Sequence, residues 1–125
     1  MTKKRDLASV SPAETEVLRI VWERGEATVG EVVDTLPPER DITYATVQTL
    51  LRRLEKKGYL KHDTKGKAHV FSAAAQKEEV IARTVKDFLD RLFAGDAVPL
   101  VHHLARHGKI DAQDLERLKK LVDED

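Results

Sequence analysis

The sequence contains no cysteine, which excludes disulfide frameworks, thiolate metal sites such as zinc fingers, and thiol redox or nucleophilic chemistry. It has no Gly-rich phosphate loop, since Gly58 and Gly66 flank or tip predicted elements and do not open a helix after a strand. The serines are Ser9, Ser11 and Ser72; none lies in a Gly-x-Ser-x-Gly elbow, and no nucleophile has an evident base. Neither an enzyme nor a cofactor is expected. No apolar run approaches the roughly 20 uncharged residues a membrane helix needs. Met1 to Asp6 lack the apolar stretch of a secretory signal, so a cytoplasmic location is expected. Aromatic residues are scarce, at 5%. At 125 residues the chain is too short for most cofactor-binding barrels or doubly wound sheets. It fits one domain, or a small domain with an oligomerisation segment.

Apolar residues make up 41%, enough for the core of one or two small lobes, and the 35% charged residues suit a helix-rich surface. The formal net charge is zero, yet a binding surface is set by local fields that an average hides. Between residues 43 and 69, seven Lys/Arg (Arg52, Arg53, Lys56, Lys57, Lys61, Lys65, Lys67) face two acids, Glu55 and Asp63. Residues 111 to 125 hold six acids and three bases. The charge is segregated along the chain.

Ser11-Pro12-Ala13-Glu14 reads as a capping box with Pro at the first helical position. Val17, Leu18, Val21 and Trp22 then recur at helical spacing up to Gly25. Thr28 to Glu31 repeats the signature before Val32, Val33 and Leu36, and Pro37-Pro38 ends that helix. Glu26 to Thr28 can pair as a brief strand, although nothing local requires it. A third helix is predicted from about Thr43 to Lys57, stopped by Gly58. At about 100° per residue, Leu50, Leu51 and Leu54 fall within about 60° of Val47. The opposite face carries Ala45, Thr49, Arg52 and Lys56, flanked by Gln48, Thr46 and Arg53. Tyr59 to Asp63 and Lys67 to Ser72 alternate around Thr64-Lys65-Gly66 as a β-hairpin whose tip bears Lys65 and Lys67. Three more amphipathic helices are expected over Gln76 to Phe93, Asp96 to His107 and the stretch after Asp111.

Three helices, the third basic on its outer face, followed by a hairpin with a basic tip, form the element order of a winged helix. A helix with small, hydrogen-bonding side chains near its N-terminal half can enter the major groove, where Thr and Gln reach base edges and Ala meets a thymine methyl. Arg and Lys further along, with the hairpin tip, meet phosphates. The candidate DNA-binding residues are Thr43, Tyr44, Ala45, Thr46, Gln48, Thr49, Arg52, Arg53, Lys56, Lys65 and Lys67. The expected fold is mainly α with a small β-hairpin (α+β): a winged helix-turn-helix over residues 8–74 and a three-helix dimerisation lobe over 75–125. The bland alternatives are a solvated basic face, or a winged helix whose Lys56, Lys61 and Lys65 dock an acidic protein partner.

The same residues carry a resemblance. Glu16 to Trp22 (EVLRIVW), Thr43 to Leu60 (TYATVQTLLRRLEKKGYL) and Phe88 to Asp96 (FLDRLFAGD) resemble the penicillinase-repressor family of winged-helix regulators, the BlaI, MecI and CopY group. The Thr-x-x-Thr-Leu-Leu-x-Arg-Leu-x-x-Lys-Gly pattern over Thr46 to Gly58 is specific in combination with the Trp-containing first helix. The likeness covers nearly the whole chain. It implies a homodimeric repressor that binds a palindromic operator in double-stranded DNA. In one branch of the family a membrane sensor metalloprotease cuts the dimerisation lobe; in another, copper binds a C-terminal cysteine cluster, which this chain lacks. Leu100 to Ala105 resembles the cleavage region, with His103 and Leu104 at the scissile positions, where the best-known members have Asn-Phe.

Physics also favours a dimer, because short helices leave part of their apolar stripe uncovered. The candidate dimerisation residues are Val80, Ile81, Thr84, Val85, Phe88, Leu89, Leu92, Leu100, Leu104 and Leu118. His103 and His107 are spaced i, i+4, but no carboxylate supports a metal site there, and surface histidines are the better reading. His62 and His69 face each other across the hairpin or face DNA phosphates. Trp22 belongs with the core on the Leu18 face. Tyr44 either reaches a phosphate through its hydroxyl or packs on Leu36.

Overall fold

The computed structural model describes residues 8–123. The described residues divide after Val80 into two compact units. The first begins with helix α1 (Pro12–Arg24), strand β1 (Glu26–Thr28) and helix α2 (Val29–Thr35). A 3-10 turn (Pro38–Arg40) leads into α3 (Tyr44–Lys56), and the hairpin strands are β2 (Leu60–Lys65) and β3 (Ala68–Ala73).

Both capping boxes form. The Glu14 amide donates to Ser11 Oγ at 3.1 Å while the Ser11 amide donates to the Glu14 carboxylate at 2.8 Å. Thr28 and Glu31 repeat the exchange at 3.1 and 2.9 Å. Each reciprocal pair satisfies two of the donors that a helix N-terminus leaves unbonded. Gly25 ends α1 at φ +85°, a conformation most other residues resist.

Strand β3 of the hairpin is the centre of a three-stranded antiparallel sheet in the order β1-β3-β2. β1, which local sequence left undecided, pairs with β3 through Glu26–Ser72, Ala27–Phe71 and Thr28–Val70. Lys65 pairs with Ala68, so the hairpin turns on Gly66-Lys67, one step later than the sequence pattern suggests. Gly66 sits at φ +63°, which a two-residue turn with glycine in the first central position demands.

Behind the sheet lies an aliphatic core. Val17, Leu18 and Val21 of α1 meet Val32 of α2 and Val47, Leu51 and Leu54 of α3, all essentially inaccessible, with Leu60 and Phe71 closing it from the hairpin. Trp22 packs against this core, as its helical position implies, although its Nε1 is buried with no hydrogen-bond partner. Ala75 and Val80 are buried in the same core.

The one buried charged side chain among the described residues is Glu14, at 2% exposure. The Lys57 ammonium donates to both its oxygens, at 2.7 and 2.9 Å, and to the Ser9 carbonyl at 3.0 Å. Burial works to raise the carboxyl pKa, but the Lys57 ammonium and the Ser11 amide and hydroxyl outweigh it and hold the group below its ordinary 4.5. The folded state therefore binds this proton less readily than the unfolded chain. The pair's stabilising effect is complete above the ordinary carboxylate range and is lost as pH falls through the lowered value. Glu14→Gln should be less stable at pH 7 and should flatten that acid limb; equal acid sensitivity in both proteins, followed by denaturant unfolding at pH 3 to 7, would contradict this.

The second unit carries the rest of α4 (Lys77–Phe93), α5 (Val98–Arg106) and α6 (Ala112–Asp123). No described residue beyond Val80 is buried. Ile81, Val85, Phe88, Leu92, Val98, Leu115, Leu118, Leu121 and Val122 are all exposed in the single chain. Val80 was expected on this apolar stripe; its burial with the α1–α3 core removes it, and the stripe begins at Ile81.

Candidate nucleic-acid interface

Helix α3 is anchored by its inner leucines and presents the other side to solvent. Ala45, Thr46, Thr49, Arg52, Arg53 and Lys56 are exposed, Tyr44 is exposed at its first turn, and Gln48 is half-buried. The threonines divide by role. Thr43 is the N-cap, accepting from the Thr46 amide at 3.1 Å, and its hydroxyl lies 3.0 Å from that of Thr46. Thr49 spends its hydroxyl hydrogen on the Ala45 carbonyl at 3.0 Å, so outward it offers a lone pair and a methyl group. Among the described residues no carboxylate pairs with Arg52, Arg53, Lys56, Lys61 or Lys67, although the surface holds several ion pairs elsewhere. These cations are free to meet an external anion.

Lys67 is exposed in the hairpin turn. Lys65, expected beside it at the tip, is the last residue of β2 and sits 3.3 Å from the Glu26 carboxylate. Both side chains are more than half exposed, so the contact is weak and leaves Lys65 exchangeable. Between α3 and the wing lies a shallow concavity of about 150 Å³, lined by Tyr44, Gln48, Arg52, Lys67 and His69 among others. Tyr44 thus faces this hollow and solvent, not a packed site.

Two contacts that hold this surface in place were not foreseen. Arg40 forks onto Glu16 of α1, with Nε 3.1 Å from each oxygen and Nη2 at 2.8 Å, pinning the turn that precedes α3. This raises the guanidinium pKa, the Glu16 hydrogen bonds being the largest cause. At the other end, Glu55, the only acid on α3, takes a hydrogen bond from Nδ1 of His62 and ties the helix to the wing. Glu16 and Arg40 lie 24 residues apart, beyond the reach of any local pattern.

In the second unit, His103 is exposed and Leu104 half-buried within α5. Leu100 is also half-buried, as is Leu89 of α4, whereas Thr84 is exposed. The His103 and His107 rings stack at 4.1 Å, and His107 Nδ1 donates to the His103 carbonyl at 2.9 Å. The described residues include no cluster of three or more potential metal ligands. No helix among them is long and apolar enough to cross a membrane.

A helix-turn-helix whose last helix packs one side into the core and leaves the other to solvent, with a three-stranded sheet at its flank, is a winged helix. The chain belongs to the penicillinase repressor family, whose profile matches residues 10–124. It is 25% identical over 115 residues to the penicillinase repressor of Staphylococcus aureus, covering 92% of this chain and 91% of that one. To the penicillinase repressor of Bacillus licheniformis it is 25% identical over 120 residues, covering 96% and 94%. Among solved structures, the DNA-binding domain of the repressor BlaI superposes with a TM-score of 0.53 at 29% identity, over 61% of this chain and 93% of that domain.

Proposed function

We propose that this protein is a sequence-specific transcriptional repressor that binds a palindromic operator in duplex DNA as a homodimer. The observation that carries the reading is the outward side of α3: accessible Ala45, Gln48 and Thr49, flanked by Arg52, Arg53 and Lys56, which no carboxylate among the described residues pairs, with Lys67 on the wing beside them. Gln48 and Thr49 are suited to base edges, and the cations to phosphates. The uncovered apolar stripe from Ile81 to Val122 supports dimerisation through the second unit. A two-fold axis then presents two α3 helices to half-sites about 34–36 Å or a multiple apart. Enrichment of bound sequences from a random duplex library should return a palindrome at one of these spacings. A salt-insensitive protein that enriches nothing would instead favour docking of an acidic partner.

Single residues separate the roles. Gln48→Ala or Thr49→Ala should cost roughly 1–3 kcal/mol on the enriched site and leave random-sequence affinity nearly unchanged. Lys67→Ala should weaken both alike and reduce the log-log salt slope by about 0.9 per lost phosphate contact. Equal losses on both kinds of site for Gln48→Ala would remove its assignment as a base reader.

The proposal includes relief of repression by cleavage between His103 and Leu104, with a membrane sensor metalloprotease as partner. A protease needs an extended segment, and α5 is nine residues long with none buried, which makes local opening cheap. Limited proteolysis by a neutral metalloprotease, read by mass, should cut first within α5; a first cut in α3 or the wing would contradict it.

A further inference from the structure

His62 of β2 and His69 of β3 lie on the inner face of the hairpin, the side that bears buried Phe71. Their rings stack, with centroids 4.4 Å apart and planes 17° apart. His62 is the inner member. It lies 5.5 Å from the Phe71 ring and bonds through Nδ1 to Glu55. A carboxylate only accepts, so Nδ1 of His62 carries the hydrogen. His69 is the outer member: it is exposed and lines the concavity between α3 and the wing. Among the described residues, no side chain or backbone group hydrogen-bonds its ring nitrogens.

We propose that this concavity seats one phosphate of the DNA backbone, and that His69 joins Arg52 and Lys67 there as a third cation when its ring is protonated. The inference rests on the DNA-binding reading above. The groups around His69 fit an anion from every side. Helix α3 supplies Arg52, with Tyr44 and Gln48 as neutral donors; the turn supplies Lys67; and Thr28 and Val29 bring no charge. On β2, Thr64 is its cross-strand neighbour, and His62 stands between it and Glu55, the nearest acid on α3. Glu55 is thereby engaged by His62, leaving the mouth of the hollow to the cations.

The neutral ring adds at most a hydrogen-bond donor to this seat, whereas the imidazolium adds a full charge. A bound phosphate favours the charged ring, so the complex holds more protons than free protein and free DNA together. By linkage, affinity rises as acidification protonates the ring, and the gain is lost as the ring gives the proton up. One proton limits the effect to about tenfold per pH unit.

Anisotropy titrations of the full chain on a random-sequence duplex at fixed ionic strength should show binding about three- to tenfold tighter at pH 6 than at pH 8. His69→Gln, with its fold checked by circular dichroism, should lose most of that pH dependence. As a readout independent of the variant, calorimetry in two buffers of different ionisation enthalpy should show net proton uptake when the wild type binds duplex. Wild-type binding without proton uptake, or a pH dependence that survives in His69→Gln, overturns the proposal and leaves DNA binding standing. Absence of duplex binding at low salt at either pH overturns the DNA-binding reading and this seat with it.

Discussion

Leu54→Ala is expected to destabilise the N-terminal unit by about 2–5 kcal/mol, the usual range for removing a leucine side chain from a packed interior. Leu54 is fully buried and lies on the inner side of α3 with Val47, Leu50 and Leu51, against α1 and α2. Domains are typically stable by about 5–15 kcal/mol, so the loss consumes a large share of the total. The informative contrast is Thr49→Ala on the same helix. Thr49 is exposed, so its replacement should change stability by no more than about 0.5 kcal/mol. Denaturant melts of the two variants therefore report which side of α3 is structural. Comparable destabilisation by both would mean that the outer side is packed against something, and the interface would be misplaced.

Phe88→Asp is expected to separate the two halves of the mechanism. Phe88 is an exposed aromatic on α4, 44% accessible in the single chain and close to Phe93 at 5.7 Å between ring centroids. In the proposed dimer it is buried, and a carboxylate there must be desolvated without a partner. The variant should be a folded monomer, because the α1–α3 core lies in the other unit. A bivalent contact can exceed a single one by about 10²–10⁴-fold. Operator affinity should fall on that order while the affinity for one half-site stays near that of the wild type. Analytical ultracentrifugation and half-site titrations check both statements. A dimer that persists at low concentration would take Phe88 out of the interface.

Most of the winged-helix unit was legible because its signals are local. Capping boxes at Ser11 and Thr28, glycines at 25 and 58, and the spacing of Val47, Leu50, Leu51 and Leu54 depend on residues within a turn or two of each other. The outer side of α3 follows from the inner one by geometry. What stayed hidden depends on distance in sequence. Glu14 was visible as a capping residue, but its burial against Lys57 joins positions 43 residues apart. The pairing of β1 with β3 and the clamp of Arg40 on Glu16 are of the same kind. The hairpin turn was misplaced by a step because Thr64-Lys65-Gly66 and Gly66-Lys67 are both plausible turn centres, and only the register decides between them. Val80 continues the α4 periodicity, so helical spacing alone could not assign it to the core.

The proposed surface for duplex DNA is the outer side of α3 together with the wing. Amide and side-chain chemical-shift mapping of the full chain against a duplex carrying the enriched site tests this directly. The largest changes are expected at Ala45, Gln48, Thr49, Arg52 and Lys67, with little change at buried Val17 or Val32. Perturbations confined to the exposed surface of α1, with α3 and the hairpin turn unmoved, would contradict it.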